Sequence, residues 1–203
     1  MRIRIRDRIL DARSVLDAMF RDAEFVRQIE RAARATLKAF RSGRKVLLAG
    51  NGGSAADAQH LAGELVNRFR FDRPGLPAVA LTTDTSVLTS IANDSGYDQV
   101  FARQVEALGR SGDVFWAFST SGRSPGILAA LDVARRRKLV TIGFTGQAGE
   151  DMIGRCDIAL AAPSRDTPRI QEIHALIGHI LCELIEEDFF RKARKRHGAS
   201  SVG

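Results

Sequence analysis

The chain has 203 residues, of which 44% are apolar, so it can form one domain with a sizeable core. Its formal net charge is +7, but this charge is concentrated at the ends, since four arginines lie within the first eight residues and the segment from Arg191 to His197 is also basic. No zinc finger or aromatic-rich RNA-binding signature accompanies the charge, so we predict solvated ends and no nucleic-acid partner.

The apolar runs and the cysteines of the sequence indicate the cellular compartment of the protein. No apolar run approaches the roughly 20 residues of a membrane span, so a membrane partner is not expected. The two cysteines, Cys156 and Cys182, are not in a metal-binding spacing, which favours a reducing environment. The composition therefore predicts a soluble cytoplasmic protein.

The first forty residues have a helical pattern. Apolar residues recur at roughly helical spacing from Ile9 to Phe40, and charged residues fill the other face. The pattern predicts one long helix, or two, packed on a domain or on a partner subunit. We interpret residues 1–40 as an N-terminal helical extension with a role in assembly.

The rest of the chain alternates between strands and helices. Short apolar runs predict five strands, over residues 45–49, 78–81, 113–118, 139–144 and 157–161. Helical patterns occupy residues 55–69, 85–92, 98–108, 125–137 and 168–190. This alternation predicts an α/β domain over residues 41–190, with a doubly wound five-stranded parallel sheet flanked by helices. Residues 191–203 are predicted to form a basic, flexible tail.

The first predicted strand ends in a glycine-rich loop, Gly50-Asn51-Gly52-Gly53-Ser54. Glycines bring backbone N–H groups close to an anion, and the N-terminus of the following helix adds partial positive charge. The spacing matches neither the dinucleotide fingerprint nor a P-loop, because Ala55 follows and no Gly-Lys-Ser/Thr occurs.

The third predicted strand ends in a second such loop, Ser119-Thr120-Ser121-Gly122-Arg123-Ser124. A hydroxyl cluster before a helix can be an ordinary helix cap. Two polar loops in equivalent positions of one sheet nevertheless favour a phosphate site beyond the strand ends. The residues predicted to hold the phosphate are Asn51, Gly52, Gly53, Ser54, Ser119, Thr120, Ser121 and Ser124.

His60 and Glu64 follow the first loop on the predicted helix. Residues four apart share one helix face, so both side chains could reach one metal ion or one substrate. The same spacing is equally compatible with a polar pair that faces solvent.

These motifs together resemble the sugar isomerase (SIS) domain family, and within it the bacterial phosphoheptose isomerases. The stretches that carry the resemblance are 48–60, 73–78, 92–94, 119–122 and 169–174, in this order along the chain. The resemblance covers roughly residues 12–190 and implies a flavodoxin-like, three-layer SIS fold.

The resemblance also implies roles for particular residues. Glu64 and His179 are implied as the catalytic pair, and Asn93, Asp94, Glu64 and Gln171 as substrate contacts. In some members zinc is bound by four such side chains, which here are His60, Glu64, Gln171 and His179. His174 matches no catalytic position of the family and is interpreted as structural.

The spacing of Gln171 and His179 bears on assembly. Eight residues span about 12 Å along a helix, and the two side chains are about 80° apart around it. Either the two side chains lean toward each other or different subunits supply them, and both cases favour a site near a subunit interface. The family resemblance implies a homotetramer.

The activity implied is the conversion of sedoheptulose 7-phosphate to D-glycero-D-manno-heptose 7-phosphate, which supplies nucleotide-activated heptose for surface glycans such as lipopolysaccharide. One alternative is a non-catalytic SIS protein of the replication-initiator-associating type, but Glu64 and His179 favour catalysis. Another sugar-phosphate isomerase is a weaker alternative, since such enzymes usually carry other domains or other loop residues. A nucleic-acid-binding regulator is also weaker, since no helix-turn-helix pattern precedes the first strand.

Overall fold

The structure, a computed structural model, describes residues 1–197, in which a five-stranded parallel sheet lies between two layers of helices. The strands are β1 (Val46–Ala49), β2 (Ala78–Ala80), β3 (Val114–Phe118), β4 (Val140–Gly146) and β5 (Ile158–Ala162). The helices are α1 (Arg2–Arg21), α2 (Ala23–Arg41), α3 (Gly53–Val66), α4 (Thr85–Ser95), α5 (Val100–Leu108), α6 (Pro125–Arg136), α7 (Glu150–Ile153) and α8 (Thr167–His197), and a 3₁₀ turn covers Tyr97–Gln99. The predicted fold class is confirmed.

The strand order indicates where along the sheet a ligand site is expected. The order is β2-β1-β3-β4-β5, with every neighbouring pair parallel. The direction of winding reverses between β1 and β3, and a crevice forms outside the carboxyl ends of strands at such a switch point. The two polar loops predicted above follow these two strands.

The core has two parts, one on each face of the sheet. Both β1 and β3 are buried throughout, as their continuous apolar sequences predict. Helices α2, α3 and α8 pack on one face and α5 and α6 on the other. Trp116 of β3 is fully buried, and its indole N–H donates to Thr36 of α2 at 3.3 Å.

The N-terminal region forms two helices, with the break at Asp22. The Asp22 carboxylate accepts hydrogen bonds from the N–H groups of Glu24 (2.9 Å) and Phe25 (3.1 Å), which caps α2. Helix α2 buries eight residues, whereas α1 buries none. Val15 and Met19 of α1 pack partly buried against the core, whereas the other large apolar side chains of the helix, including Ile9, Leu16 and Phe20, are exposed in the single chain.

The last helix is longer than the sequence pattern indicates. It continues past the predicted end near residue 190 to His197, because no glycine or proline interrupts the segment before Gly198. The first part of the predicted tail is therefore helical, and its remainder, 198–203, lies outside the described residues. Within residues 1–197, no helix is both long and apolar enough to cross a membrane.

Candidate active site

The two polar loops lie side by side at the switch point of the sheet. The amide nitrogen of Asn51, in the loop after β1, donates to the hydroxyl oxygen of Ser124, in the loop after β3, at 3.0 Å. Ser124 is the N-cap residue of α6 and Gly52 that of α3, and no side-chain capping bond is made at either position. The Ser124 hydroxyl hydrogen and both helix N-termini can therefore face an anion.

Two glycines fix the shape of the first loop. Gly52 has a φ of +57°, a left-handed conformation that side chains other than glycine adopt only with strain. A methyl group at Gly53 would collide with the side-chain amide of Gln171, so α8 approaches this loop closely. The close approach places Gln171, a predicted substrate contact and metal ligand, directly against the first loop.

The hydroxyl groups of the two loops differ in exposure. Ser54 and Ser119 are buried at 3% and 6% exposure, whereas Thr120 and Ser124 are half-buried and Ser121 is exposed. The Ser121 hydroxyl oxygen accepts the N–H of Arg123 at 3.2 Å, which leaves its hydrogen free to donate. The second loop thus presents hydroxyl groups both in its buried part and at its surface.

A cluster of two imidazoles and a carboxylate lies where α3 and α8 meet. The Nε2 atoms of His60 and His179 are 2.7 Å apart, and His60 Nε2 lies 3.6 Å from a carboxylate oxygen of Glu64. The possible ligand atoms of all three residues lie within 4.8 Å of one another. Nitrogen and carboxylate donors in this number match the protein ligands of catalytic zinc sites, so the cluster could hold a metal ion.

The structure brings only part of the predicted site together within one chain. Gln171 lies at the first loop, whereas His179, on the same helix, lies in the cluster with His60 and Glu64.

Asn93 and Asp94 lie apart from both groups. They are exposed on α4, where Asn93 donates to Asp94 at 2.8 Å, and they line a surface depression formed by α4 residues. Their contact with sugar hydroxyls stays a prediction.

Comparisons with known proteins agree with this geometry. The sequence profile of the SIS domain matches residues 11–146. The phosphoheptose isomerase of Burkholderia pseudomallei (strain 1710b) is 54% identical over 93% of this chain and 95% of its own length. That of Aneurinibacillus thermoaerophilus is 51% identical over 92% and 94%. The solved phosphoheptose isomerase of Neisseria gonorrhoeae superposes with a TM-score of 0.86 at 39% identity, covering 92% of this chain and 98% of its own.

The chain belongs to the phosphoheptose isomerase family of SIS domain proteins. Membership confirms the family resemblance inferred from the sequence stretches. The relatives also identify the chain as a sugar-phosphate isomerase.

Two residues beside the predicted site, Tyr97 and Phe69, carry no motif that marks them in the sequence. The hydroxyl of Tyr97 donates to the side-chain oxygen of Asn51 at 2.8 Å, which fixes the orientation of the amide that donates to Ser124. The ring of Phe69 lies 5.7 Å from the His179 ring, tilted by 30°. Tyr97 is the single tyrosine of the chain and follows the 92–94 stretch, which is the only sequence signal for it.

His174 lies in the core, away from the cluster. It is fully buried, with Nε2 3.0 Å from the carbonyl oxygen of Thr145 and with the rings of Phe118 and Phe144 packed edge-on against it. Burial lowers the pKa of His174 to about 4, against the opposing effect of the bond to Thr145. The imidazole is therefore neutral at pH 7, as suits a structural residue.

Proposed function

We propose that this chain converts sedoheptulose 7-phosphate to D-glycero-D-manno-heptose 7-phosphate by proton transfer through an enediol, at the start of nucleotide-activated heptose synthesis. The observation that carries the proposal is the pairing of two linked polar loops with a carboxylate–imidazole cluster. The relatives at 54% and 51% identity, which are named phosphoheptose isomerases, support the choice of substrate.

The two polar loops are the proposed phosphate-binding site. The N-termini of α3 and α6 offer N–H groups and partial positive charge, and the loop hydroxyls supply further donors. Binding a remote phosphate positions the reacting end of the sugar and removes much of the entropic cost of the reaction. The residues proposed to hold the sugar phosphate are Asn51, Gly52, Gly53, Ser54, Glu64, Asn93, Asp94, Ser119, Thr120, Ser121, Ser124 and Gln171.

The cluster of His60, Glu64 and His179 is proposed to act on the carbonyl end of the sugar. Isomerisation moves a proton between adjacent carbons, which requires a base at carbon and a group that handles the oxygen-bound protons. Glu64 is the proposed base at carbon, and His179 is the proposed partner that opens the ring or moves protons between the oxygens. Glu64 is half-buried, which limits its solvation while leaving it accessible to a substrate.

We also propose that zinc binds at this centre, held by His60, Glu64 and His179 with the amide oxygen of Gln171 as fourth ligand. Bound zinc would supply Lewis-acid stabilisation of negative charge on the sugar oxygens. The donor set supports the proposal, since imidazole and carboxylate are common zinc ligands. Because Gln171 contacts the first loop within its own chain, the amide in the zinc set is proposed to come from a second subunit.

We further propose a cytoplasmic homotetramer with active sites near subunit interfaces, in which residues 1–40 serve assembly. Helix α1 supports this proposal, because its apolar side chains include Phe20, which is 81% exposed, and Ile9, which is 62% exposed. Large apolar side chains exposed along one helix are typical of interaction surfaces. Two free cysteines and no disulfide among the described residues suit a reducing cytoplasm.

Incubation with sedoheptulose 7-phosphate, followed by NMR, tests the activity. The native chain should form an aldoheptose phosphate. Glu64→Gln should abolish turnover but still bind the sugar phosphate in calorimetry, and Glu106→Gln on the exposed face of α5 is the matched control. Turnover by Glu64→Gln would remove Glu64 from the mechanism. Binding without turnover by the native chain would indicate a non-catalytic SIS protein.

A further inference from the structure

A buried ion pair joins the segment after α3 to the last helix. The side chains of Arg73 and Glu186 are 2% and 0% exposed, and Arg73 Nε donates to Glu186 Oε1 at 2.8 Å. Arg73 opens one of the sequence stretches that carry the family resemblance, 73–78. Neither the phosphate binding nor the proton transfer proposed above uses this pair.

Glu186 holds the backbone beside His179. Its carboxylate also accepts the N–H groups of Phe69 at 2.8 Å and of Arg70 at 2.6 Å. The ring of Phe69, whose backbone is held in this way, packs against the imidazole of His179. Burial alone would raise the pKa of Glu186, but the N–H donors of Arg70 and Phe69, together with Arg73, outweigh it and lower the pKa. The carboxylate is therefore ionised, and both of its oxygens accept hydrogen bonds.

Arg73 holds the end of the helix that carries Glu64. Its guanidinium donates to the backbone carbonyls of Glu64 at 2.8 Å, Leu65 at 2.7 Å and Asn67 at 3.1 Å. The last carbonyls of a helix lack partners within the helix, and the last turn of α3 has no basic residue of its own. Arg73 thus caps α3 from outside the helix.

We infer that the Arg73–Glu186 pair is a positioning element of the active site, which sets Glu64 on α3 against His179 on α8. One member of the pair binds the backbone of Glu64, and the other holds the aromatic ring that packs on His179. Only a guanidinium supplies enough donors, in a fixed planar fork, to bond a carboxylate and several carbonyls at once. This inference rests on the proposed isomerase function for its kinetic consequence.

Variants of the Arg73–Glu186 pair are expected to change kcat rather than KM. A misplacement of about 1 Å between reacting groups can lower a rate about 100-fold. The phosphate loops follow β1 and β3 and are not bonded to this pair, so binding of the phosphate should change little. We expect variants of the pair to lower kcat by about 10- to 100-fold while KM stays within about threefold.

Two single variants and a matched control separate positioning from general stability. Arg73→Lys keeps the charge but loses the fork, and Glu186→Gln keeps the shape but loses the charge. The control is Asp113→Asn, because Asp113 is a carboxylate of 2% side-chain exposure that pairs with Lys45 at 2.5 Å, at the opposite end of β1 and β3. It should lower the Tm while leaving kcat unchanged.

A second readout does not depend on turnover. The ring current of Phe69 displaces the ring proton resonance of His179, which can be followed by NMR at fixed pH in metal-free protein, since the chain has four histidines. Arg73→Lys and Glu186→Gln should move this resonance, and Asp113→Asn should not. If the native chain shows no turnover, the isomerase function fails and this resonance still decides the inference.

The inference is overturned if both variants only lower the Tm, as the control does, with native kcat and an unmoved His179 resonance. Should a single variant not fold, the double variant Arg73→Met with Glu186→Leu replaces it, because it leaves no charge buried without a partner. A double variant with native kcat and resonance would equally overturn the inference.

Discussion

Acidification should destabilise this fold through His174. The imidazole is fully buried against two phenylalanine rings, and its pKa is lowered from 6.5 to about 4, mainly by burial. Below pH 6.5 the unfolded chain binds a proton at this residue that the folded chain does not, so stability is complete above that pH and is lost as the pH falls toward about 4.

The pKa difference sets the size of this effect. At about 1.4 kcal/mol per pKa unit, the change from pH 7 to about pH 4.5 should cost about 2 kcal/mol of unfolding free energy through this residue alone. His174→Gln has no proton to bind and should lack this part of the loss. Other groups, such as Glu186, titrate in both proteins and cancel in the comparison.

Urea denaturation at the two pH values, at one protein concentration, measures the difference. The native chain should lose about 2 kcal/mol more than His174→Gln between pH 7 and about pH 4.5. Equal losses in the two proteins would refute the assignment of His174 as a neutral core residue.

The remaining predictions concern binding and assembly. Tyr97→Phe removes the bond that orients Asn51 and should raise KM about fivefold with little change in kcat, as the loss of one hydrogen bond implies; an unchanged KM would contradict the role of Tyr97. Metal-free protein should bind about one Zn²⁺ per subunit in calorimetry, and His60→Ala should weaken binding at least about tenfold; equal affinity would place zinc elsewhere. Phe20→Glu should reduce the mass seen by light scattering, whereas the exposed neighbour Ser14→Glu should not, and a full-sized Phe20→Glu assembly would separate α1 from the subunit interface.

The sheet and its loops could be predicted because their signals are local. The continuous apolar runs of β1 and β3 indicate buried parallel strands, and each run ends directly in a polar loop. The single-turn helix α7 was not predicted, because four residues are too few to show a helical period. The sequence pattern is compatible with one helix or two in the N-terminal region, since the division between α1 and α2 depends on one capping residue, Asp22.

The supporting parts of the site could not be predicted because they join residues far apart in the chain. Tyr97 bonds to a residue 46 positions earlier, and Arg73 pairs with a residue 113 positions later. No periodicity or spacing indicates such pairs. The family resemblance, rather than any sequence pattern, implies that His60 and His179 share one site across 119 positions.

The crystal structure of the assembled protein with sedoheptulose 7-phosphate bound would test the central claim most directly. We predict that the phosphate lies between the loops that follow β1 and β3, bonded to hydroxyls and N–H groups near Ser54 and Ser124. The carbonyl end of the sugar should then lie beside Glu64 and His179, whichever subunit supplies them. A phosphate bound at any other surface, or a carbonyl end remote from both side chains in every subunit, would contradict the account.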